Sequence, residues 1–262
     1  MSAEDQKREA GQFHMTTPGN QTSGDRDYLL GLNRYFDASL GDPIDKLRNF
    51  AKFVPHSALG RFLCRYELFK EVVQVHGAFI ECGVHLGGGL MSWAQLSGIF
   101  EPLNHGRRII GFDTFDGFAD LHEKDRAGSP AEEIAAGDYR APAFEDLTEA
   151  VRLFDLGRPL GHIPRVELVA GDANQTIPQY LQDNPHLVVA MLYLDFDVYQ
   201  PTVTALEHFL PRMPRGAVLA FDELFVKQWP GETLAVMEQI GLRNLRIRRF
   251  PHQPQISYAI LE

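Results

Sequence analysis

An α/β fold is what this sequence predicts: a mostly parallel sheet covered by helices on both faces, with a helical cap in front of it. Three observations carry the prediction. Short apolar runs such as "LVVAMLYL" alternate with amphipathic stretches, the pattern of buried parallel strands joined by crossover helices. A glycine-rich turn, "CGVHLGGG", follows the first such run. Five runs also end at or near an acid, namely Glu81, Asp113, Asp172, Asp195 and Asp222. In an open parallel sheet, ligands bind outside the carboxyl ends of the strands, so these acids are expected to converge on one edge.

The elements follow in order. Residues 1–24 are polar, rich in Gly, Ser, Thr and Gln, and without period; they read as a disordered tail. Residues 25–76 read as an N-terminal helical cap. Within it "GRFLCRYELFKEVVQV" sets Phe62, Tyr66, Phe69 and Val73 at helical spacing. Residues 77–262 form the main domain. "GAFIECG" is the first strand and "GGGLMSWAQLSGIF" the helix after it. "RRIIGFD" is the second strand, and residues 114–143 form a long polar loop. "FEDLTEAVRLFDL" is a helix with Leu147, Val151 and Phe154 on one face. "RVELVAGD" is the third strand and "TIPQYLQD" a short helix. "LVVAMLYLD" is the fourth strand, "PTVTALEHFLPRM" a helix, "GAVLAFDE" the fifth strand and "ETLAVMEQIG" a helix. "LRNLRIRRF" and "QISYAILE" are two closing strands.

Composition narrows the function. The formal net charge of −10 in 262 residues argues against general nucleic-acid binding. The apolar run ending at Leu194 is far shorter than the ~20 residues of a spanning helix, so no membrane role is expected. The start, "MSAEDQKREA", has no apolar core of a secretory signal. Two cysteines, Cys64 and Cys82, in a chain this long are no disulfide framework. Together these features lead to the expectation of a cytoplasmic protein with a small-molecule ligand.

The turn "ECGVHLGGG" is not the dinucleotide pattern G-x-G-x-x-G; alone it is also compatible with a plain strand-to-helix turn. Gly83, Gly87 and Gly88 let the backbone approach a ligand. Asp113 ends the second strand, where a carboxylate accepts bonds from two ribose hydroxyls. "AGDA", with Gly171 and Asp172, ends the third, where a polar residue meets an adenine edge. An adenosine ligand without pyrophosphate suits this set, and S-adenosylmethionine (SAM) is such a ligand.

"FIECGVHLGGGLM", "GFDTFDGF", "LYLDFDVYQPTVTALEHFLPRMPRGAVLAFDEL" and the closing "ISYAIL" resemble the macrocin and mycinamicin sugar O-methyltransferases over residues 55–262. The resemblance implies a Rossmann-like class I methyltransferase fold with a seven-stranded sheet. It further implies SAM as methyl donor, a Mg²⁺ ion, a deoxysugar hydroxyl as acceptor and a homo-oligomer. Carried onto this chain, it gives Glu81, Gly83, Val84, Gly87, Gly88, Asp113, Thr114, Gly171, Asp172 and Asp195 as cofactor-binding residues. Asp195, Asp222 and Glu223 become the metal ligands, and Asp195 the general base as well.

The residues bear on this expectation independently. Asp195 and Asp222 end neighbouring strands about 4.8 Å apart, so one hard cation suits both carboxylates. Val198 stands where catechol-type relatives carry a lysine base, which favours the sugar subfamily. Asp222-Glu223 replaces the usual Asp-Asp, which puts Glu223 in more doubt than Asp222. Asp197 is expected to support the turn or cap the helix starting near Pro201. Arg61 and Arg65, four apart on the cap helix, either meet an anionic group of the ligands or lie on a solvated face with Glu67 and Glu71. His85 and His122 are alternative bases or, more simply, surface residues; His208 is a packing or surface residue. The basic "RNLRIRRF" reads as a charged edge, and loop 114–143 with the cap as the seat of acceptor choice. Other readings are methylation of a non-sugar hydroxyl and non-catalytic SAM binding.

Overall fold

The computed structural model describes residues 22–126 and 135–262. The tail expected over residues 1–24 lies, up to residue 21, outside the described residues; residues 23 and 24 already belong to a helix. The chain forms two compact units, the first ending at Ala58 and the second running from Leu59 to Glu262.

In the first unit, helix α1 (Ser23–Ala38) starts with a reciprocal capping box, in which the Asp25 carboxylate accepts from the Thr22 backbone N–H at 2.7 Å. Helix α2 (Pro43–Arg48) has Asp42 as N-cap and proline in its first turn.

The second unit is a three-layer α/β structure. Its strands are β1 (Ala78–Cys82), β2 (Ile109–Asp113), β3 (Val166–Ala170), β4 (Val189–Leu194), β5 (Val218–Phe221), β6 (Arg248–Phe250) and β7 (Gln253–Ile260). They form one seven-stranded sheet in the order β3-β2-β1-β4-β5-β7-β6. The first five are parallel, and β7 pairs antiparallel with both β5 and β6. This is the Rossmann-like class I methyltransferase architecture expected from the sequence. One closing strand is shorter than predicted: only Arg248–Phe250 of "LRNLRIRRF" pairs, and Leu242–Asn244 is a 3-10 turn.

Helices α3 (His56–Val72), α4 (Gly88–Phe100) and α5 (Phe144–Leu156) cover one face, and α6 (Ala173–Asp183), α7 (Tyr199–Phe209) and α8 (Pro230–Gln239) the other. The period-2 alternation of strands sorts the side chains. Phe79, Met191, Tyr193 and Ala220 join the core under α3 and α4, while Ile80, Leu192, Leu194 and Phe221 join the core under α6 and α7. By the same alternation, Glu81, Asp195 and Asp222 follow Phe79, Tyr193 and Ala220 onto the α3–α4 face. Much of α3, expected to belong to the cap, thus helps to roof the sheet through Cys64, Leu68, Phe69 and Val72.

Candidate active site

The sheet's own ladder assembles the site. Each residue just past a strand end donates its N–H to the neighbouring strand: Gly171 to Asp113 (2.9 Å), Gly83 to Phe112 (2.9 Å), Asp195 to Cys82 (2.8 Å) and Asp222 to Leu194 (3.0 Å). Asp113, Gly171, Gly83, Asp195 and Asp222 therefore stand along one carboxyl edge, as the strand-end acids suggested. The other two acids sit differently. Glu81 is buried beneath the edge, and Asp172 is the N-cap of α6, accepting from Asn174 N–H at 3.0 Å.

The glycine turn shows why it is rich in glycine. Gly83 has φ 93°, and a Cβ there would overlap the Asp195 carbonyl; Gly87 has φ 82°, and a Cβ would overlap Leu147; a Cβ on Gly89 would overlap the Glu81 carboxylate. Three glycines are thus explained by packing. Gly88, at the start of α4, is exposed and would place its Cβ in open space. Its lack of a side chain leaves room for a ligand against the helix N-terminus.

Asp113 holds this turn in place. Its Oδ2 accepts from Val84 N–H at 2.7 Å and His85 N–H at 2.8 Å, and its Oδ1 from Phe115 N–H at 2.7 Å. A carboxylate has about four acceptor positions, so capacity remains for a ribose hydroxyl. The Thr114 hydroxyl donates to the Gly117 carbonyl at 2.5 Å and so closes the following turn.

Asp195, Asp197, Asp222, Glu223 and Glu232 form an acidic group on strands β4 and β5 and the start of α8. Burial first, then the charges of Asp222 and Asp197, push Asp195 well above the usual carboxylate range. Burial and Asp222 raise Asp197 to about 7; burial, Asp222 and Asp197 raise Glu223 to about 9. Glu232, fully buried, is pushed up by burial and then by Asp222, and its Oε1 accepts from Glu223 N–H at 3.1 Å.

Two arginines of α3 answer this charge. Arg61 Nη2 lies 2.5 Å from Asp222 Oδ1 and 3.8 Å from Asp195 Oδ2. Burial opposes the Arg61 charge, but Asp222, Tyr193 and Asp195 outweigh it and hold the guanidinium protonated. Arg65, 5% exposed, has its guanidinium carbon 5.0 Å from the Tyr193 ring centroid and 5.8 Å from that of Trp93, a cation–π arrangement. The Tyr193 hydroxyl donates to Asp222 Oδ1. The solvated-face reading of Arg61 and Arg65 is therefore corrected: the helix turns both toward the sheet.

The acids fit a hard divalent cation by donor type, and Glu223 Oε2 is a buried carboxylate oxygen without a partner among the described residues. Among those residues, however, no three His, Cys, Asp or Glu side chains are grouped to hold a metal ion. The positive charge shared by Asp195 and Asp222 is that of Arg61.

Of the two roles expected for Asp197, turn support and helix cap, the structure excludes the cap. Helix α7 begins at Tyr199 with Val198 as N-cap, and its Tyr199 N–H is taken by Asp125 Oδ1 at 2.6 Å. Asp197 adopts φ 64° and stays with the acids. His122 stacks on Tyr199 with ring centroids 4.7 Å apart, and His208 Nδ1 lies 3.0 Å from the Thr204 carbonyl within α7. His85 is exposed, with φ 50°.

Known proteins share this fold and sequence family. The family model described as macrocin O-methyltransferase (TylF) matches residues 64–239. The crystal structure of CalS11, a calicheamicin methyltransferase, is 33% identical over 92% of this chain and 94% of that one, with TM-score 0.86. The apo structure of CalS11, described as a TDP-rhamnose 3'-O-methyltransferase of calicheamicin biosynthesis, is 31% identical over 92% and 96%, with TM-score 0.78. The O-methyltransferase NovP, 19% identical over 77% and 79% with TM-score 0.61, shares the fold. No curated protein matches the chain by sequence.

Proposed function

Because the chain belongs to the macrocin O-methyltransferase family and is an O-methyltransferase, we propose that it methylates a hydroxyl of a deoxysugar, carried on a nucleotide or a natural product, with SAM as donor. The observation that carries this reading is the join between Gly83 and Asp195. The glycine turn and the acid-bearing end of β4 are in backbone contact, which supports reading the one as the donor site and the other as the seat of the base. The likeness to CalS11, a TDP-rhamnose 3'-O-methyltransferase by its description, supports a sugar acceptor.

When bound, SAM supplies an electrophilic methyl group on a sulfonium. Gly83, Val84, Gly87 and Gly88 would receive its methionine end, Asp113 and Thr114 its ribose, and Gly171 and Asp172 its adenine side, with Glu81 bracing the turn from below. Asp195 would take the proton of the acceptor hydroxyl and so make its oxygen the nucleophile for the methyl group. Asp195, Asp222 and Glu223 would hold Mg²⁺, whose charge lowers the pKa of a bound hydroxyl.

Three measurements test the reading. EDTA is expected to abolish turnover while SAM binding by calorimetry persists, and Asp195→Asn to lower kcat by about 100-fold or more with an unchanged melting temperature. Full turnover in chelator would sink the metal assignment, and an undiminished kcat in the variant the base. Labelled SAM with paired sugar and phenol acceptors tests the substrate class, and label in the phenol alone would overturn it.

A further inference from the structure

Three aromatic rings on the loops that leave β2 and β5 have no part in the chemistry above. Phe118 and Tyr139 belong to the two arms of the loop after β2, and Trp229 immediately precedes α8. Their ring centroids lie 5.6 Å apart for Phe118–Tyr139, 5.8 Å for Phe118–Trp229 and 5.5 Å for Tyr139–Trp229. Backbone bonds pin the two arms: Phe118 N–H to the Asp138 carbonyl at 3.1 Å, and Gly137 N–H to the Phe118 carbonyl at 2.9 Å. Gly117 makes the approach possible, since a Cβ there would overlap the Gly137 and Asp138 carbonyls. The cluster is preformed, yet it is not core: Tyr139 remains 45% exposed, and Phe118 and Trp229 are half-buried.

Its position relative to the acids is set by both flanks. Trp229 lies on the segment leaving β5 through Asp222 and Glu223, and Phe118 on the segment leaving β2 through Asp113. Trp229 N–H donates to the Val226 carbonyl at 3.2 Å and Val226 N–H to the Glu223 carbonyl at 3.0 Å, which ties the cluster to the acids through the backbone; the Tyr139 phenol, pushed up by burial and then by the negative charges of Asp197 and Glu223, is consistent with that placement. One side of the site is thus carboxylate and another is aromatic. Small-molecule sites commonly pair apolar walls with a few polar groups that fix orientation. A pyranose has the same two-sided character, with C–H groups on its ring face and hydroxyls at its rim. A π-face, negative at its centre, attracts those C–H groups, and a deoxysugar adds an apolar methyl or methylene.

We propose that Phe118, Tyr139 and Trp229 form a stacking wall for the apolar face of the acceptor sugar, turning its hydroxyl rim toward Asp195 and Asp197. The inference rests on the sugar reading above and adds to it the residues that orient the ring. A nucleobase presents a π-face to the same wall, and the test separates the two occupants.

The chain has two tryptophans, Trp93 and Trp229, and Trp93 is 1% exposed. Acrylamide quenching of tryptophan fluorescence therefore reports on Trp229. With S-adenosylhomocysteine present, TDP-rhamnose and methyl rhamnoside are both expected to protect Trp229, and TDP alone is not. Trp229→Leu and Tyr139→Leu are each expected to raise the KM of whichever sugar is methylated by about tenfold, with SAM affinity unchanged. Trp229→Phe, which keeps a π-face, is expected to restore most of the loss. Equal protection by TDP alone would assign the wall to the base and overturn the proposal. So would a sugar that is methylated without protecting Trp229, or a KM within twofold of wild type in both leucine variants. If no sugar protects Trp229 or accepts label while a phenol does, the sugar reading itself fails, and the wall with it.

Discussion

Replacing Arg61 by methionine keeps an unbranched apolar stem and removes the guanidinium with its charge. In the structure this guanidinium lies 2.5 Å from Asp222 and 3.8 Å from Asp195, and the Asp222 side chain is 2% exposed against 30% for Arg61. Removing one partner of a buried ion pair costs about 3–5 kcal/mol, because the remaining charge is left uncompensated. Partial exposure of Arg61, and the Tyr193 hydroxyl bond that Asp222 keeps, bring the expected cost below that range, to about 2–3 kcal/mol. For a chain of this size, about 2–4 °C of melting temperature accompanies each kcal/mol, so a fall of about 4–12 °C is expected. The assay is a thermal melt followed by circular dichroism in EDTA at pH 7.5. Adding millimolar Mg²⁺ should then raise the melting point of the variant more than that of wild type, since the cation no longer competes with a guanidinium for the same oxygens. A variant that melts within 2 °C of wild type in EDTA would refute the structural role of Arg61. Equal Mg²⁺ shifts in both proteins would refute the competition.

Other perturbations reach the cofactor end. Burial raises the Glu81 carboxyl from 4.5 to about 7. The folded state then holds a proton that the unfolded chain has lost, so the stabilisation is complete below about pH 4.5 and disappears as pH climbs through about 7. The span corresponds to about 3 kcal/mol. Glu81→Gln cannot titrate, so the wild-type-minus-variant difference in urea midpoints should fall with that slope, and a flat difference would show that Glu81 is ionised throughout. Gly88→Ala adds a methyl group into open space at a helix start. The melting temperature should hold or rise slightly, while calorimetry should show SAM binding weakened about tenfold or more; unchanged SAM affinity would remove Gly88 from the cofactor site.

Much of the architecture was legible because burial and period speak for themselves. "LVVAMLYL" has no polar residue to place outward, so both of its faces had to be covered, and alternation with amphipathic stretches made the sheet parallel. The acids at strand ends followed from topology. The direction of Arg61 and Arg65 was harder, because Glu67 and Glu71 on the same helix made a solvated face equally reasonable. One signal was present: residues 61, 65, 68 and 72 follow a 4-3-4 spacing, which puts both arginines on the stripe of Leu68 and Val72. The Asp125 cap on α7 left no such trace, since it joins residues 74 positions apart, and no local pattern records a long-range bond. Glu232 was passed over because an acid in the first turn of a helix is ordinarily a solvent-facing partner of the helix dipole. Here it is fully buried against Glu223.

The contact between Gly83 and the Asp195 carbonyl bears on how such an enzyme diversifies. The proposed donor turn and the strand end that carries the proposed base are spaced by main chain against main chain, so side-chain substitutions elsewhere leave that backbone spacing in place. The rings of Phe118, Tyr139 and Trp229 sit on loops outside that contact. On the proposed reading, acceptor preference is free to drift, by selection or by redesign, while the spacing of the donor turn from the base is kept by a residue with no side chain at all.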